Sequence, residues 1–424
     1  IAFVLVEQPV LSLRGAGGEE STDVFFQLNG ELGLPVRGQS VTFSLSGSTG
    51  GATLVPSRLT DISDENGRVY TTVQSGTSPT TVSVVARHES TQNQTVSGGI
   101  IIASGAPVQS KFTFSAVTLS PEDAWNLNGI EVDLSIIASD FAGNDVPNGK
   151  TVSFISPESG NVDSECTLFS GECSITWRSG SPRPGDLRAT LIAFMDGAED
   201  FTDTNGNGVY DSGDIFTDDL GEPFVDANEN GLFDSGEYFE DSNSNGMRDV
   251  GNGMWDGPCL SAVDSSADCS GEDSVKIYKT LTIRMPVPEA ELKAARITYD
   301  RDATSTTVGE GDTIVTGDGD VVELILKIGD STSVADSVCA TPPCGNPLPP
   351  GSRIQSSLVA SGTGIRLSGA DSITVRGDVV NPTVFTLVLS DMEVGVDEET
   401  ILEVEVTYES ETIGFFTWPV VFGP

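Results

Sequence analysis

The chain has 424 residues and a formal net charge of -42, too long for one ordinary domain and sized for two to four. Acidity of this strength excludes nucleic acid and anionic membrane surfaces as partners, because phosphate repels it. Hydrophobic residues make up 37% of the chain, enough to pack cores, so the charge does not signal global disorder.

The opening run IAFVLV (Ile1–Val6) is strand-sized, as is GIIIA near Ile100, and no segment is long enough to span a bilayer as a helix. The chain begins at Ile and shows no leader, which reads as a mature or trimmed product with any signal or anchor upstream. Further along, apolar residues alternate with period two in SVTFSLS from Ser40, TTVSVVARH from Thr80 and GIEVDLSIIAS from Gly129. Turn clusters such as SGSTGG, DENG, AGNDVPNG and SGSPRPG separate these runs. Short alternating strands between polar turns predict an all-β chain of sandwiches. PEAELKAAR, around Glu289, is the one stretch with a helical period, and it reads equally as a linker.

An internal repeat sets the domain count. LPVRGQSVTFS from Leu34 and VPNGKTVSFIS from Val146 share Pro, Gly and an alternating Val-x-Phe, and LPPGSRIQSS from Leu348 is a fainter copy. The order of Pro-x-Gly turn, alternating strand, D-x-x-G-x-V turn and closing strands resembles the bacterial Ig-like repeats of intimin- and invasin-type surface proteins. The likeness covers Ser21–Ser104 and Gly129–Met285 with an insert set aside, and Val287–Pro424 loosely. It implies seven-stranded Ig-like β-sandwiches in tandem and a role as a rigid stalk or adhesin. The expected domains are 1–106, 107–286 and 287–424, the second interrupted by an insert at 196–272.

That insert carries the strongest motif. DTNGNGVYDSGD from Asp203, DANENGLFDSGE from Asp226 and DSNSNGMRDVGN from Asp241 place Asp, Asn, Asn at positions 1, 3 and 5, Gly at 6 and Asp at 9. This is the oxygen-ligand spacing of a calcium loop. Short side chains converge on a hard cation, residue 7 supplies a carbonyl, Gly permits the sharp turn, and an acid at 12 binds through both oxygens. The first ion is assigned Asp203, Asn205, Asn207, Val209, Asp211 and Asp214, and the second Asp226, Asn228, Asn230, Leu232, Asp234 and Glu237. The third copy ends in Asn252, a poorer ligand, so its set is Asp241, Asn243, Asn245, Met247 and Asp249 with help from Asp256. A solvated acidic loop is the plainer alternative, since seventeen Asp and Glu stand against the single base Arg248 between Asp196 and Asp256. Random acidity would not repeat Gly at 6, nor Phe201, Phe224 and Phe239 just ahead of each loop. No amphipathic helix precedes Asp203, so the insert resembles the bare calcium loops of dockerins and thrombospondin type-three repeats. Modules of this ligand type hold calcium at about 10⁻⁴–10⁻³ M, which suits occupancy outside a cell. The insert parts LRATLIAFM from VKIYKTLTIRM, a connection expected to face the first domain and to brace that junction.

Six cysteines form three close pairs, Cys166/Cys173, Cys259/Cys269 and Cys339/Cys344. None has CxxC spacing and the only histidine, His88, is remote, so local disulfides displace zinc and imply an oxidising compartment. Such bridges are expected to staple hairpins rather than join sheets, each contributing about 2–3 kcal/mol for a loop as short as Cys166–Cys173.

Nothing in the chain points to an enzyme. There is no nucleophile elbow, the only imidazole, His88, reads as a surface residue at the end of a strand, and the GEGD and GDGD runs near Gly309 lack the Lys and helix of a phosphate loop. The expectation is an extracellular structural or adhesive protein at a bacterial surface, stabilised by calcium. Its expected partners are further copies, through strand addition by IAFVLV or TIGFFTWPVVFG, or a cell-surface or glycan receptor. The alternative is a carbohydrate-binding accessory module of an exported enzyme, which needs exposed platforms among Trp125, Trp177, Trp255 and Trp418. Trp177 reads as core, and Trp125 and Trp418 as lying near domain edges.

Overall fold

The computed structural model describes residues 1–14, 19–103, 105–157, 160–204, 210–211, 213–217, 219–258, 269–272, 274–299, 305–317, 319–335, 342–359, 364–392 and 398–423. The described chain is all-β, with two single-turn 3-10 segments and no α-helix, and builds three Ig-like sandwiches. Among the described residues no helix is long and apolar enough to cross a membrane.

In the first sandwich, Ser21–Gln27 and Arg68–Gln74 lie between Ala2–Val6 and Thr53–Leu54; Ile100–Ala103, Thr80–His88 and Ser40–Ser46 form the facing sheet. In the second, Phe112–Ala116, Glu131–Ala138, Glu172–Arg178 and Asn161–Val162 face Glu165–Thr167, Thr151–Ile155, Arg188–Gly197 and Val275–Arg284. The third stacks a sheet centred on Val321–Asp330 against one centred on Glu398–Tyr408. Strict alternation of buried and exposed residues along Glu131–Ala138 is what a sheet with one face on a core requires.

The repeated Pro-Gly motif does the same work in each sandwich. Gly38, Gly149 and Gly351 have φ of 73°, 94° and 85°, a left-handed conformation that side chains resist. Each donates its N–H to a strand-edge carbonyl, of Ser63, Leu168 and Val375 respectively, and delivers the chain into the next strand.

Three expectations are corrected. Ala290–Tyr299 is a strand, because the sheet partner Val321–Asp330 overrides helical propensity and a bulge at Lys293 restores the alternation. The Cys166–Cys173 bridge joins the two sheets of the second sandwich, since Cys166 pairs with Val152 in one and Cys173 with Ile136 in the other. Seven residues suggest a hairpin, but the turn between them carries the chain from one sheet to its partner. Cys269 and Cys344 are also disulfide-bonded, and their expected partners Cys259 and Cys339 lie outside the described residues. The closing run Glu411–Gly423 pairs along its length with Glu398–Tyr408 and, over Val420–Gly423, with Ile314–Gly317, all within its own sandwich. Its Trp418 is fully buried in the third core, not at a domain edge.

Arg188–Gly197 has a feature that positions the insert. Leu191, Ala193 and Met195 face the sandwich core, whereas Ile192 and Phe194 point outward yet are also buried, packed on Val225 with Tyr238 and Tyr278 alongside. The insert is therefore a third layer over this sheet. Burial of such side chains stabilises the docking by roughly 1.5–3 kcal/mol each.

Candidate metal centre

The loops share one frame. In the first, Phe201 pairs with Phe216 and the Thr217 N–H donates to the Asp200 carbonyl at 2.8 Å. In the second, Phe224 pairs with Phe239 and the Glu240 N–H donates to the Pro223 carbonyl at 2.8 Å. Each bridge joins the residue two before position 1 to the residue two after position 12, so the recurring phenylalanines close the loops.

Within the second loop, both Asp226 oxygens accept main-chain N–H groups, Oδ1 from Asn230 at 3.0 Å and Oδ2 from Gly231 at 2.6 Å. The side chains of Asn228 and Asn230 each donate to Asp234 Oδ2 at 2.7 Å. These two amides hold the Asp234 carboxyl below its ordinary range. Glu237 at position 12 accepts from Ala227 N at 2.9 Å and Asp234 N at 2.8 Å, while its own N–H donates to the Asp234 carbonyl at 3.1 Å. Gly231 at position 6 has φ of 81°, and Glu229 at position 4 has φ of 51°. In the first loop Asp214 takes the same part, accepting from Thr204 N at 2.8 Å and Asp211 N at 3.1 Å. Asp203, Asp211 and Asp214 are thus placed on this frame, and Asn205, Asn207 and Val209 lie outside the described residues.

The third loop repeats the pattern with a substitute. Asp241 accepts from Asn245 N and Gly246 N at 3.0 and 2.8 Å, and Asn243 and Asn245 donate to Asp249 Oδ2 at 2.5 and 2.9 Å. The part of the twelfth residue is taken by Glu222, nineteen residues before the loop begins. It accepts from Ser242 N at 2.7 Å and Asp249 N at 3.1 Å, and its own N–H donates to the Asp249 carbonyl at 2.9 Å. Those are the three bonds that Glu237 makes in the second loop.

Asn252 and Asp256 belong to a fourth arrangement, assembled from three separated segments. Gly253 N donates to Asp219 Oδ1 at 3.0 Å, Asn252 Nδ2 donates to Asp256 Oδ2 at 2.9 Å, and Met254 N donates to Asn252 Oδ1 at 2.7 Å. The acid here is Glu199, fully buried, which accepts from Leu220 N at 2.8 Å and Asp256 N at 3.0 Å. Its N–H donates to the Asp256 carbonyl at 3.1 Å, the same closing bond again. Asp219, Asn252, Gly253, Asp256 and Glu199 thus stand at positions 1, 5, 6, 9 and 12 of a split loop, in which Asp256 bonds to Asn252 and Glu199. A signal for it was present in the sequence, since N-G-x-x-D recurs at Asn252 as at Asn230 and Asn245.

Among the described residues no three His, Cys, Asp or Glu side chains gather tightly enough to hold a metal by themselves. The donor set suits a hard cation nonetheless, because asparagine side chains stand beside the carboxylates in the second, third and fourth centres. An ion entering would take carboxylate oxygens now held by asparagine amides, and those amides would turn to present oxygen. A cleft of about 360 Å³ lined by Glu222, Asn243, Asp249, Asn252, Asp256 and Lys276 opens the third and fourth centres to solvent.

Two small aromatic cores hold the layer together. Phe233 packs edge-on to both Phe224 and Phe239 at 5.7 Å, with the Arg248 guanidinium over Phe224 at 4.5 Å. Trp255 stacks on Tyr210 at 4.5 Å and meets the edge of Phe201 at 5.3 Å. This second core includes Val108 of the linker that leaves the first sandwich. Ala198 N bonds the Pro107 carbonyl, and Asp200 accepts from Ser110 N and Ser110 Oγ at 2.6 Å each. The insert thus holds the linker, and its second loop reaches the other end of the same strand through Glu229 and Arg188.

The fold and the insert define a class: tandem Ig-like sandwiches, one wearing a layer of acidic loops. No family model matches the chain, and no curated protein matches it. Among solved structures it is similar to FdeC, an Escherichia coli adhesin, at 12% identity over 99% of this chain and 95% of that one, with a TM-score of 0.28. InvD of Yersinia pseudotuberculosis gives 13%, 99%, 96% and 0.28. The three N-terminal domains of the outer capsid protein Hoc of bacteriophage RB49 give 12%, 100%, 98% and 0.26. Likeness this loose says nothing about ligand or partner.

Proposed function

We propose that this is an extracellular structural or adhesive protein whose inserted layer folds around calcium. The observation that carries the reading is the bonding frame repeated at four centres: a position-12 acid that accepts two main-chain N–H groups and closes on the position-9 carbonyl. In the third and fourth centres the sequence does not supply that acid locally, yet Glu222 and Glu199 occupy its place. A merely solvated acidic loop would have no reason to recruit them. Calcium would be held by Asp203, Asp211 and Asp214 in the first loop and by Asp226, Asn228, Asn230, Asp234 and Glu237 in the second. The third would use Asp241, Asn243, Asn245, Asp249 and Glu222, and the fourth Asp219, Asn252, Asp256 and Glu199. The ion supplies positive charge to carboxylates that otherwise repel, so binding and folding of the layer are coupled.

The inter-sheet disulfide supports an oxidising compartment outside the cytoplasm. Tandem sandwiches joined by gripped linkers support a spacing role, as in a stalk or adhesin. A sugar-binding module is less well supported, since Trp177, Trp255 and Trp418 are all buried and cannot serve as open platforms. Metal analysis after dialysis against 1 mM-range calcium tests the reading: about four ions per chain are expected, lost to chelator together with the near-ultraviolet signal of the Trp255–Tyr210 stack. An ion count of zero would end it.

A further inference from the structure

We propose that the second loop is a clamp on the junction between the second and third sandwiches, with Glu229 as the coupling residue, so that filling the loop stiffens the junction. The inference rests on the calcium reading and adds a use for one of its centres.

Glu229 sits between two loop side chains, Asn228 and Asn230, but its own side chain turns away from the loop. Its Oε1 accepts from Arg188 Nε at 2.6 Å, and its Oε2 from Arg188 Nη2 at 3.3 Å and Arg284 Nη2 at 3.4 Å. Both arginines are buried, Arg188 almost completely, and Arg284 Nε has no hydrogen-bond partner. Burial, and then the neighbouring Arg188, press the Arg284 guanidinium down to about 10, with Glu229 pulling the other way. Asp186 also lies close, its carboxyl accepting from the Arg188 N–H at 3.1 Å. Two buried cations from the ends of adjacent strands therefore depend on a carboxylate from the insert.

From there the chain of bonds crosses into the third sandwich. Arg188 Nη1 donates to Asn346 Oδ1 at 3.2 Å, and Asn346 Nδ2 donates back to the Asp186 carbonyl at 2.8 Å. Asn346 is fully buried, and its carbonyl accepts from Asp330 N at 3.2 Å, which ties it to the central strand there. On the other side of the junction, Thr118 and Ser120 donate to the carbonyls of Gly377 and Val379 at 3.0 Å. Asn346 is thus an attachment across the junction whose geometry is set by Arg188. An ion drawing Asn228 and Asn230 inward fixes the backbone on both sides of Glu229 and so fixes Arg188. With the loop empty, crowded carboxylates repel, Glu229 wanders, and the attachment through Arg188 loosens.

The test uses the full chain with spin labels on Ser115→Cys and Ser368→Cys, one exposed position on each sandwich, and double electron–electron resonance in calcium or chelator. The wild-type distance distribution is expected to widen at least twofold on chelation. Glu229→Gln keeps the shape and is no loop ligand; it should bind ions within twofold of wild type by dialysis, yet stay wide in calcium. A Glu229→Gln distribution as narrow as wild type in calcium overturns the clamp, and so does a wild-type width that ignores chelator while dialysis shows filled loops. Dialysis that finds no ion removes the calcium reading itself and the clamp with it, an outcome distinct from the other two.

Discussion

Glu222→Gln separates the assignment made by bonding frame from the assignment made by spacing. Glu222 is 9% exposed, and its two oxygens take two main-chain N–H groups at 2.7 and 3.1 Å. Glutamine retains one acceptor and turns an amide NH₂ toward the other N–H, forfeiting a charge-assisted bond of about 1.5–3 kcal/mol. It also removes a unit charge from beside a divalent ion, a gross loss of about 8 kcal/mol at 4 Å and an effective dielectric near 20, most of it recovered by water. A net loss of about 2–3 kcal/mol lowers affinity at that centre by about 30- to 150-fold. Equilibrium dialysis at submillimolar calcium should then show one ion fewer. Asn252→Ala, which spacing would place in the third loop, should instead weaken the fourth. Terbium, another hard cation, distinguishes them, because emission sensitised by Trp255 reports the fourth centre: Asn252→Ala should dim it and Glu222→Gln should not. Full ion count at unchanged affinity in Glu222→Gln would refute the frame.

Other outcomes follow from the packing. Trp255→Ala removes the centre of a small core and should destabilise the layer by about 3–5 kcal/mol, seen as lost near-ultraviolet dichroism while the sandwich melting transitions stay in place. Cys166→Ser with Cys173→Ser should cost the second sandwich about 2–3 kcal/mol and lower its transition alone, read by calorimetry. Burial raises the Asp330 carboxyl above its ordinary value of 3.8, against the bonds from Val287 N and Thr332 that hold the linker. A carboxyl raised in the folded state favours folding below its unfolded value and loses that contribution as pH climbs through the raised one. Melting temperature should therefore fall as pH rises through that window, and Asp330→Asn should flatten that part of the curve.

The sandwiches were legible because they obey local rules. Period two in GIEVDLSIIAS and the Pro-Gly turn before each copy of the repeat are visible without neighbours, and both survive in the fold. The Ala290–Tyr299 strand was not legible, because Glu, Leu, Lys and Ala favour helix until Val321–Asp330 pairs with them. The sheet-joining role of Cys166–Cys173 was hidden for a related reason: spacing records how far apart two cysteines are along the chain and says nothing of which sheet each strand joins. In the insert, positions 1 to 9 of the loops were readable, since one backbone turn links them. Position 12 was readable only where the chain continues directly, as at Asp214 and Glu237.

The third and fourth centres show why the acid can come from elsewhere. What a twelfth residue must do is receive the N–H groups of positions 2 and 9 and return its own N–H to the position-9 carbonyl, and any carboxylate brought to that point qualifies. Glu222 reaches it because it precedes the Phe224–Phe239 bridge, which lays the segment before the second loop beside the segment before the third. Glu199 reaches it because it lies two residues beyond the end of Arg188–Gly197, the strand that the layer covers. Each borrowed acid therefore ties two segments that a self-contained loop would leave independent, and the last of them ties the layer to the sandwich. A layer built this way cannot fill its third and fourth centres one segment at a time, so ion uptake there should be steeper than at the first two loops.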